Sequence, residues 1–246
     1  VEMMEDEELY NAGKGSVIAA DGSVTMDASI MRGCDGAAGS VVNVKRIRHP
    51  IRAANLLLQQ GWPVMLNSDA ADTFAIINGV EEVEQQWLIT DLRKAQWQKW
   101  RDNKGRPGST DEDDSAVLDH DIDLEIQEGM GTVGAVAIDK SGNIAAGTST
   151  GGMTNKKYGR IGDVPIIGAG TYANNLTCGI SATGTGEYFI RTVAAHEVSS
   201  FIKYKQLNPS EALHEVLFNQ IGPLGGEGGM ILIDKAGDVY WDFNST

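Results

Sequence analysis

Hydroxyl groups and one closely spaced Arg/Asp pair crowd into a single glycine-rich stretch of this chain. Between Gly131 and Gly186 lie 13 glycines, and the stretch reads Gly131-Thr132-Val133-Gly134, then Thr148-Ser149-Thr150-Gly151-Gly152-Met153-Thr154-Asn155-Lys156, then Gly159-Arg160-Ile161-Gly162-Asp163, then Thr183-Gly184-Thr185-Gly186-Glu187. Taken one at a time these pieces are ordinary: a Thr in Gly-Thr-Val is a β-branched strand residue, Arg-x-x-Asp is a surface ion pair, and Thr-Gly-Thr-Gly is a turn. Other chemistries find less support. The four histidines, His49, His120, His196 and His214, stand singly, without the spacing that a zinc site needs, and read as structural or exposed. No Gly-x-Ser-x-Gly elbow occurs. Gly13-Lys14-Gly15 and Gly184-Thr185-Gly186 are too short for a phosphate-binding fingerprint and read as tight turns.

Read together, the four pieces are specific. The series resembles the plant-type asparaginase or isoaspartyl peptidase family of N-terminal nucleophile hydrolases. The opening Asn11-Ala12-Gly13-Lys14-Gly15-Ser16 and the following Met26-Asp27-Ala28-Ser29-Ile30-Met31 resemble that family's first subunit. A threonine hydroxyl needs a neighbouring base, and an N-terminal threonine carries one as its own α-amine, whose pKa is about 7.7–8.0. Such a residue exists only after the peptide bond before it is cut. Gly131-Thr132 offers a small residue whose carbonyl the Thr132 hydroxyl can approach in an N-to-O acyl shift.

The resemblance implies a role for each position. Autocleavage falls between Gly131 and Thr132. Thr132 is then the nucleophile, Thr150 hydrogen-bonds and tunes its hydroxyl, and Thr183 and Gly184 form the oxyanion hole, with Asn11 in support. Arg160 and Asp163 grip the carboxylate and ammonium of an amino-acid substrate, in a pocket completed by Ile161, Gly162, Thr185 and Gly186. The implied reaction releases L-aspartate from L-asparagine and from β-aspartyl dipeptides through an ester on Thr132, with no organic cofactor. Backbone carbonyls of Met4, Glu5, Glu7, Tyr10, Ala12 and Lys14 match the family's structural sodium loop.

The implied fold is α+β, an αββα sandwich in one domain. Residues 1–131 form an α subunit, residues 132–246 form a β subunit, and two such heterodimers pair. The family's first strand and its usual tail are missing on either side of Val1 and Thr246, so a chain truncated at both ends is expected.

Local patterns agree. Thr132 to Asp139, a turn at Lys140-Ser141-Gly142, and Asn143 to Ser149 read as a hairpin whose small residues imply close packing; Met230 to Asp234 and Asp238 to Asp242 read as another. Between them a helix is expected from Glu187 to about Tyr204, and a second after Asn208-Pro209-Ser210. Pro50 to Gln60, ended by Gly61, and Asp69 to Ile77 read as helices.

Charge and composition exclude some classes. The chain carries a net charge of −14, and nine of its acidic residues fall between Asp111 and Glu128, so about 103–131 reads as a solvated, mobile linker. The global field opposes nucleic acid. The Trp-rich basic segment Leu92 to Arg106 therefore reads as an amphipathic helix packing its Trp face on the domain, rather than as a base-stacking platform. No apolar run is long enough for a membrane span. Cys34 and Cys178 cannot make a disulfide framework, and a cytoplasmic setting is expected. The alternatives are aspartylglucosaminidase in the same fold, or a non-catalytic small-molecule-binding module.

Overall fold

The computed structural model describes residues 1–104 and 131–245; the linker expected over about 103–131 falls, from 105 to 130, outside them. In chain order the elements are α1 (Glu2–Glu5), β1 (Met26–Arg32), β2 (Ala38–Val44), α2 (Pro50–Gln60), β3 (Met65–Asn67), α3 (Ser68–Ile77), α4 (Gln85–Leu88), α5 (Asp91–Lys104), β4 (Val133–Ile138) and β5 (Ile144–Thr150). There follow β6 (Thr171–Ala173), β7 (Cys178–Gly184), α6 (Gly186–Thr192), α7 (Ala194–Ser200), α8 (Pro209–His214), β8 (Gly228–Asp234) and β9 (Val239–Phe243). The chain is thus α+β. The strands form a five-stranded sheet in the order β3-β2-β1-β5-β4 and a four-stranded sheet in the order β6-β7-β8-β9. All neighbours are antiparallel except β2 and β3.

Each sheet carries helices on one face. Pro50 opens α2 and Gly61, at φ 80°, closes it, because glycine alone takes that left-handed turn without a Cβ penalty. The helix buries Ile51, Ala54 and Leu57 against Met26, Ala28, Val41 and Val44 of β1 and β2. Gly39 permits this approach: a Cβ there would collide with the Ala54 carbonyl. On the second sheet, Ile180, Ala182, Met230 and Leu232 pack against Phe189, Val198, Leu213 and Leu217. Asn208 and Glu211 cap α8 reciprocally, as the Asn-Pro-Ser opening predicts.

The sheets meet where β4 and β5 touch β7. The small residues expected there are required. A Cβ on Gly134 would collide with the Ser181 side chain, and one on Gly179 would stand 2.7 Å from Ile144 Cγ2. Between the sheets runs a buried chain of hydroxyls: Ser29 to Thr171 at 2.8 Å, Thr171 to Thr148 at 2.6 Å, and Thr148 to Ser181 at 2.7 Å. Pairing matters because an unsatisfied buried hydroxyl costs about 1–3 kcal/mol.

The helix expected from Glu187 to Tyr204 is not continuous. Val193 takes φ 50° between α6 and α7. The cause is a long-range contact: the N–H groups of Ala195 and His196 donate to the carbonyls of Ala169 and Gly168, at 3.2 and 2.8 Å. The break lets the 163–170 loop dock on the start of α7. After α7 the chain passes into a π-helical turn at Phe201–Lys205. The Trp-rich segment forms α5, with Trp97 packed against the first core and Arg101 stacked over it at 4.7 Å. No helix of the described residues is long and apolar enough to cross a membrane.

Candidate active site

Thr132 immediately precedes β4, and the register pairing Val133 with Ser149 brings it beside Thr150 at the end of β5. The two hydroxyl oxygens are 2.9 Å apart. Thr150 Oγ1 also accepts the Gly152 N–H at 3.0 Å, which leaves its proton free for Thr132. The Gly131 carbonyl accepts the Asn11 N–H at 3.2 Å. Asn11 stitches this corner further, donating from Nδ2 to the Gly152 carbonyl at 2.7 Å and accepting the Val17 N–H on Oδ1 at 3.0 Å.

A cavity of about 50 Å³ brings Thr132, Thr150, Arg160, Asp163, Thr183 and Gly184 into one wall. Gly131 and Asn11 line it too, so in the uncut chain the glycine takes up part of the space. Thr183 Oγ1 lies 4.0 Å from where a Cβ on Gly131 would stand. Gly184 ends β7 at φ 149°, and a side chain there would collide with the Glu227 carbonyl. Of the other residues expected, Gly162 lines the cavity, whereas Ile161, Thr185 and Gly186 do not; Ile161 faces outward, 40% exposed.

The charged end is built differently. Asp163 is buried, its Oδ2 has no hydrogen-bond partner, and burial pushes its carboxyl up to about 7. A buried carboxylate without a donor is costly, so this site favours an arriving cation. The loop that carries it is fixed from three sides: Ser29 bonds the Val164 carbonyl at 2.5 Å, Ser40 the Pro165 carbonyl at 2.6 Å, and the Gly170 N–H the Asp163 carbonyl at 3.1 Å. Gly186 lies behind both charges. A Cβ on it would stand 2.8 Å from Asp163 Oδ1 and 3.1 Å from Arg160 Nη2.

The family model described as asparaginase matches residues 1–246. The chain belongs to the asparaginase family. It is 43% identical over 246 residues to the isoaspartyl peptidase of Escherichia coli, spanning 100% of this chain and 74% of that protein. To the isoaspartyl peptidase of Salmonella typhimurium it is 42% identical over 246 residues, with 100% and 75% covered. To the isoaspartyl peptidase/L-asparaginase of Xenopus laevis it is 37% identical over 244 residues, with 99% and 74% covered.

Around this asparaginase-family site lie residues that sequence reasoning left without a role. Lys156 is buried, donates from Nζ to the carbonyls of Thr25 and Gly151, each at 2.7 Å, and is pushed down to about 8 by burial against a partly compensating Asp27. It supports the Gly151-Gly152 turn behind Thr150. Asp27 is also buried and accepts the Asn43 N–H at 2.7 Å. Glu187 pairs with Arg160. Both Lys156 and Glu187 end the quoted motif runs, which was the available signal; Thr25 and Arg160, which they meet, are distant in sequence.

The described histidines have partners of their own. His49 is buried beside Asp6 at 3.0 Å, His196 meets Tyr172 edge-on, His214 stacks on Phe218, and His120 lies outside the described residues. Among the described residues no group of three His, Cys, Asp or Glu is placed to hold a metal ion. The 4–14 loop offers carbonyls instead. A side chain on Gly13 or Gly15 would collide with the carbonyls of Glu5 and Tyr10, so the loop closes tightly over them. The Glu5 side chain is buried below α2, accepting the Ile51 N–H at 3.0 Å.

Proposed function

We propose that this chain is an autoprocessed threonine amidohydrolase that releases L-aspartate from L-asparagine and β-aspartyl dipeptides. The observation that carries the reading is the 2.9 Å contact between the Thr132 and Thr150 hydroxyls, in the cavity that also contains Arg160 and Asp163. The names of the relatives, isoaspartyl peptidase and isoaspartyl peptidase/L-asparaginase, support the same substrates.

Two acyl transfers use one hydroxyl. In the first, Thr132 Oγ1 attacks the Gly131 carbonyl carbon, the C–N bond breaks, and the freed nitrogen takes the hydroxyl proton. Water then hydrolyses the ester, leaving an α subunit of residues 1–131 and a β subunit of residues 132–246. The Asn11 N–H, already on the Gly131 oxygen, is suited to the charge that develops there. In the second, the new α-amine takes the Thr132 proton while the oxygen attacks the substrate's side-chain carbonyl. The Thr183 hydroxyl and the Gly184 N–H receive the oxyanion; one placed donor of this kind is worth about 3–4 kcal/mol. Ammonia or a peptide amine leaves with a proton, and water releases aspartate from the ester. Arg160 takes the α-carboxylate as a planar fork, and the unpartnered Asp163 takes the α-ammonium.

The helices on β1–β2, the helices on β7–β8, and the contact of β4 and β5 with β7 support an αββα sandwich of the N-terminal nucleophile type. Carbonyls of Met4, Glu5, Glu7, Tyr10, Ala12 and Lys14 fit a hard cation, which prefers oxygen ligands, and a structural sodium there would stiffen the loop that holds Asn11. Exchange of sodium for a large organic cation should then lower the melting temperature. Two heterodimers are proposed to pair, which light scattering would read.

Intact-mass measurement of the purified protein, with β-Asp-Leu as substrate, tests the reading. A small subunit beginning Thr-Val-Gly-Ala together with released aspartate is the expected result. Hydrolysis by an uncut chain, or turnover of a glycosylated asparagine alone, overturns it.

A further inference from the structure

The guanidinium of Arg160 is already half engaged. Its Nε donates to Glu187 Oε1 at 2.8 Å and its Nη2 to Oε2 at 2.7 Å, a two-pronged pair. The Arg160 side chain is 17% exposed and that of Glu187 49%. Nη1 makes no such bond among the described residues. It stands 3.0 Å from the point where a Cβ on Gly162 would lie, and Gly162 is part of the cavity wall. One edge of the plane is thus committed to Glu187 and the other is left for the cavity.

Glu187 is itself well fixed. It occupies the first turn of α6, behind Thr185, whose N–H donates to the Glu227 carbonyl at 2.8 Å. The hydrogen bond from Arg160 holds its carboxyl below the usual range, so it is ionised at neutral pH. An arginine side chain loses several rotatable bonds on immobilisation, and a partner that fixes it beforehand lowers that cost when the ligand arrives. The five-residue run Thr183 to Glu187 therefore carries both the oxyanion donors and the brace of the anchor.

We propose that Glu187 is a positioning residue for substrate recognition, holding Arg160 so that its Nη1 edge meets the α-carboxylate. The inference rests on the reading of Arg160 as the carboxylate anchor. On this view substrate and Glu187 share the guanidinium; they do not compete for it.

Steady-state kinetics of cleaved Glu187→Gln, Glu187→Asp and Arg160→Ala test this, with β-Asp-Leu and with its analogue carrying an aspartyl α-carboxamide. Loss of one charged hydrogen-bonding partner corresponds to roughly a tenfold or larger weakening. Glu187→Gln should raise KM for β-Asp-Leu about tenfold with kcat within about twofold, Glu187→Asp should recover part of the loss, and neither should change KM for the carboxamide. Normal cleavage into two chains certifies the fold of each variant. A KM for Glu187→Gln that is unchanged or lowered, while Arg160→Ala raises it, overturns the bracing role. Equal kcat losses on both substrates also overturn it, since they indicate a general structural effect. An unchanged KM in Arg160→Ala overturns the anchor reading itself.

Discussion

The two ends of the cavity are held by different forces. At the Thr132 end, neutral hydroxyls and backbone amides converge: Thr132 on Thr150, Gly152 N–H on Thr150, Asn11 N–H on Gly131. At the Arg160 end, charges are placed in a setting that penalises them, with Asp163 raised to about 7 by burial and Arg160 tied to Glu187. Neutral hydrogen bonds are short-ranged, so on the proposed reading the first end gives fixed geometry for bond making, with the Thr132 α-amine its titrating group after scission. Buried charge acts over longer distances and responds to protons, so on the same reading the second end gives selection. The first should govern kcat and chain scission, the second KM and its dependence on pH.

The sharpest break between them is Thr132→Ala. It should abolish scission and, when residues 1–131 and 132–246 are made as separate chains so that Gly131 can leave the cavity, lower turnover by about 10⁴-fold or more, as loss of a nucleophile does, while keeping aspartate binding by calorimetry. Loss of aspartate binding in that variant would merge the two ends into one.

A pair of neighbouring glycines gives a finer cut. Gly184→Ala puts a side chain at φ 149° and against the Glu227 carbonyl, which should displace an oxyanion donor and cost about 10²–10³ in kcat. Gly186→Ala instead presses on Asp163 Oδ1 and Arg160 Nη2, and should raise KM by about tenfold with a much smaller change in kcat. Parallel kinetics on the two variants check the split, and identical profiles would refute it.

The smallest effect is a pH signature of Asp163. Its folded pKa of about 7 lies above the ordinary carboxyl value of 3.8, so the folded state binds the proton more tightly and stability falls as pH rises between those values. Asp163→Asn should therefore raise the melting temperature at pH 8 and leave it nearly unchanged at pH 4. In the parent enzyme protonation of this carboxylate, proposed to take the substrate ammonium, adds to protonation of the Thr132 α-amine at about 7.7–8.0, so the fall in kcat/KM should steepen below pH 7 from about tenfold toward about a hundredfold per unit. Thermal melts and a pH–rate profile read these two trends.

Local elements were the most legible in the sequence. Pro50 and Gly61 bound α2, Asn208 and Glu211 cap α8, and Gly142 at φ 81° closes the turn between β4 and β5. That Thr132, Thr150, Arg160 and Asp163 would share one cavity was legible through the resemblance, because they sit in runs whose order is specific. What escaped depends on distant backbone. Nothing near Val193 announces a break, since its cause is the carbonyls of Gly168 and Ala169. Arg93 belongs to the basic segment expected to form an amphipathic helix packed by its Trp face, yet it is itself buried, donating to the Gly15 carbonyl at 2.6 Å and to Gln96 at 3.0 Å. The brace on Arg160 escaped for the same reason, as Glu187 is 27 positions away.

The five-stranded sheet has one further consequence. In its order β3-β2-β1-β5-β4, β1 precedes the junction at Gly131 and β5 follows it, paired from Asp27 with Thr150 to Arg32 with Ala145. Scission would therefore create two polypeptides woven through one continuous ladder, neither of which could depart without baring a raw edge in the middle of the protein. Genes encoding the two pieces separately should yield nothing stable alone and a working enzyme only when the pieces are made together.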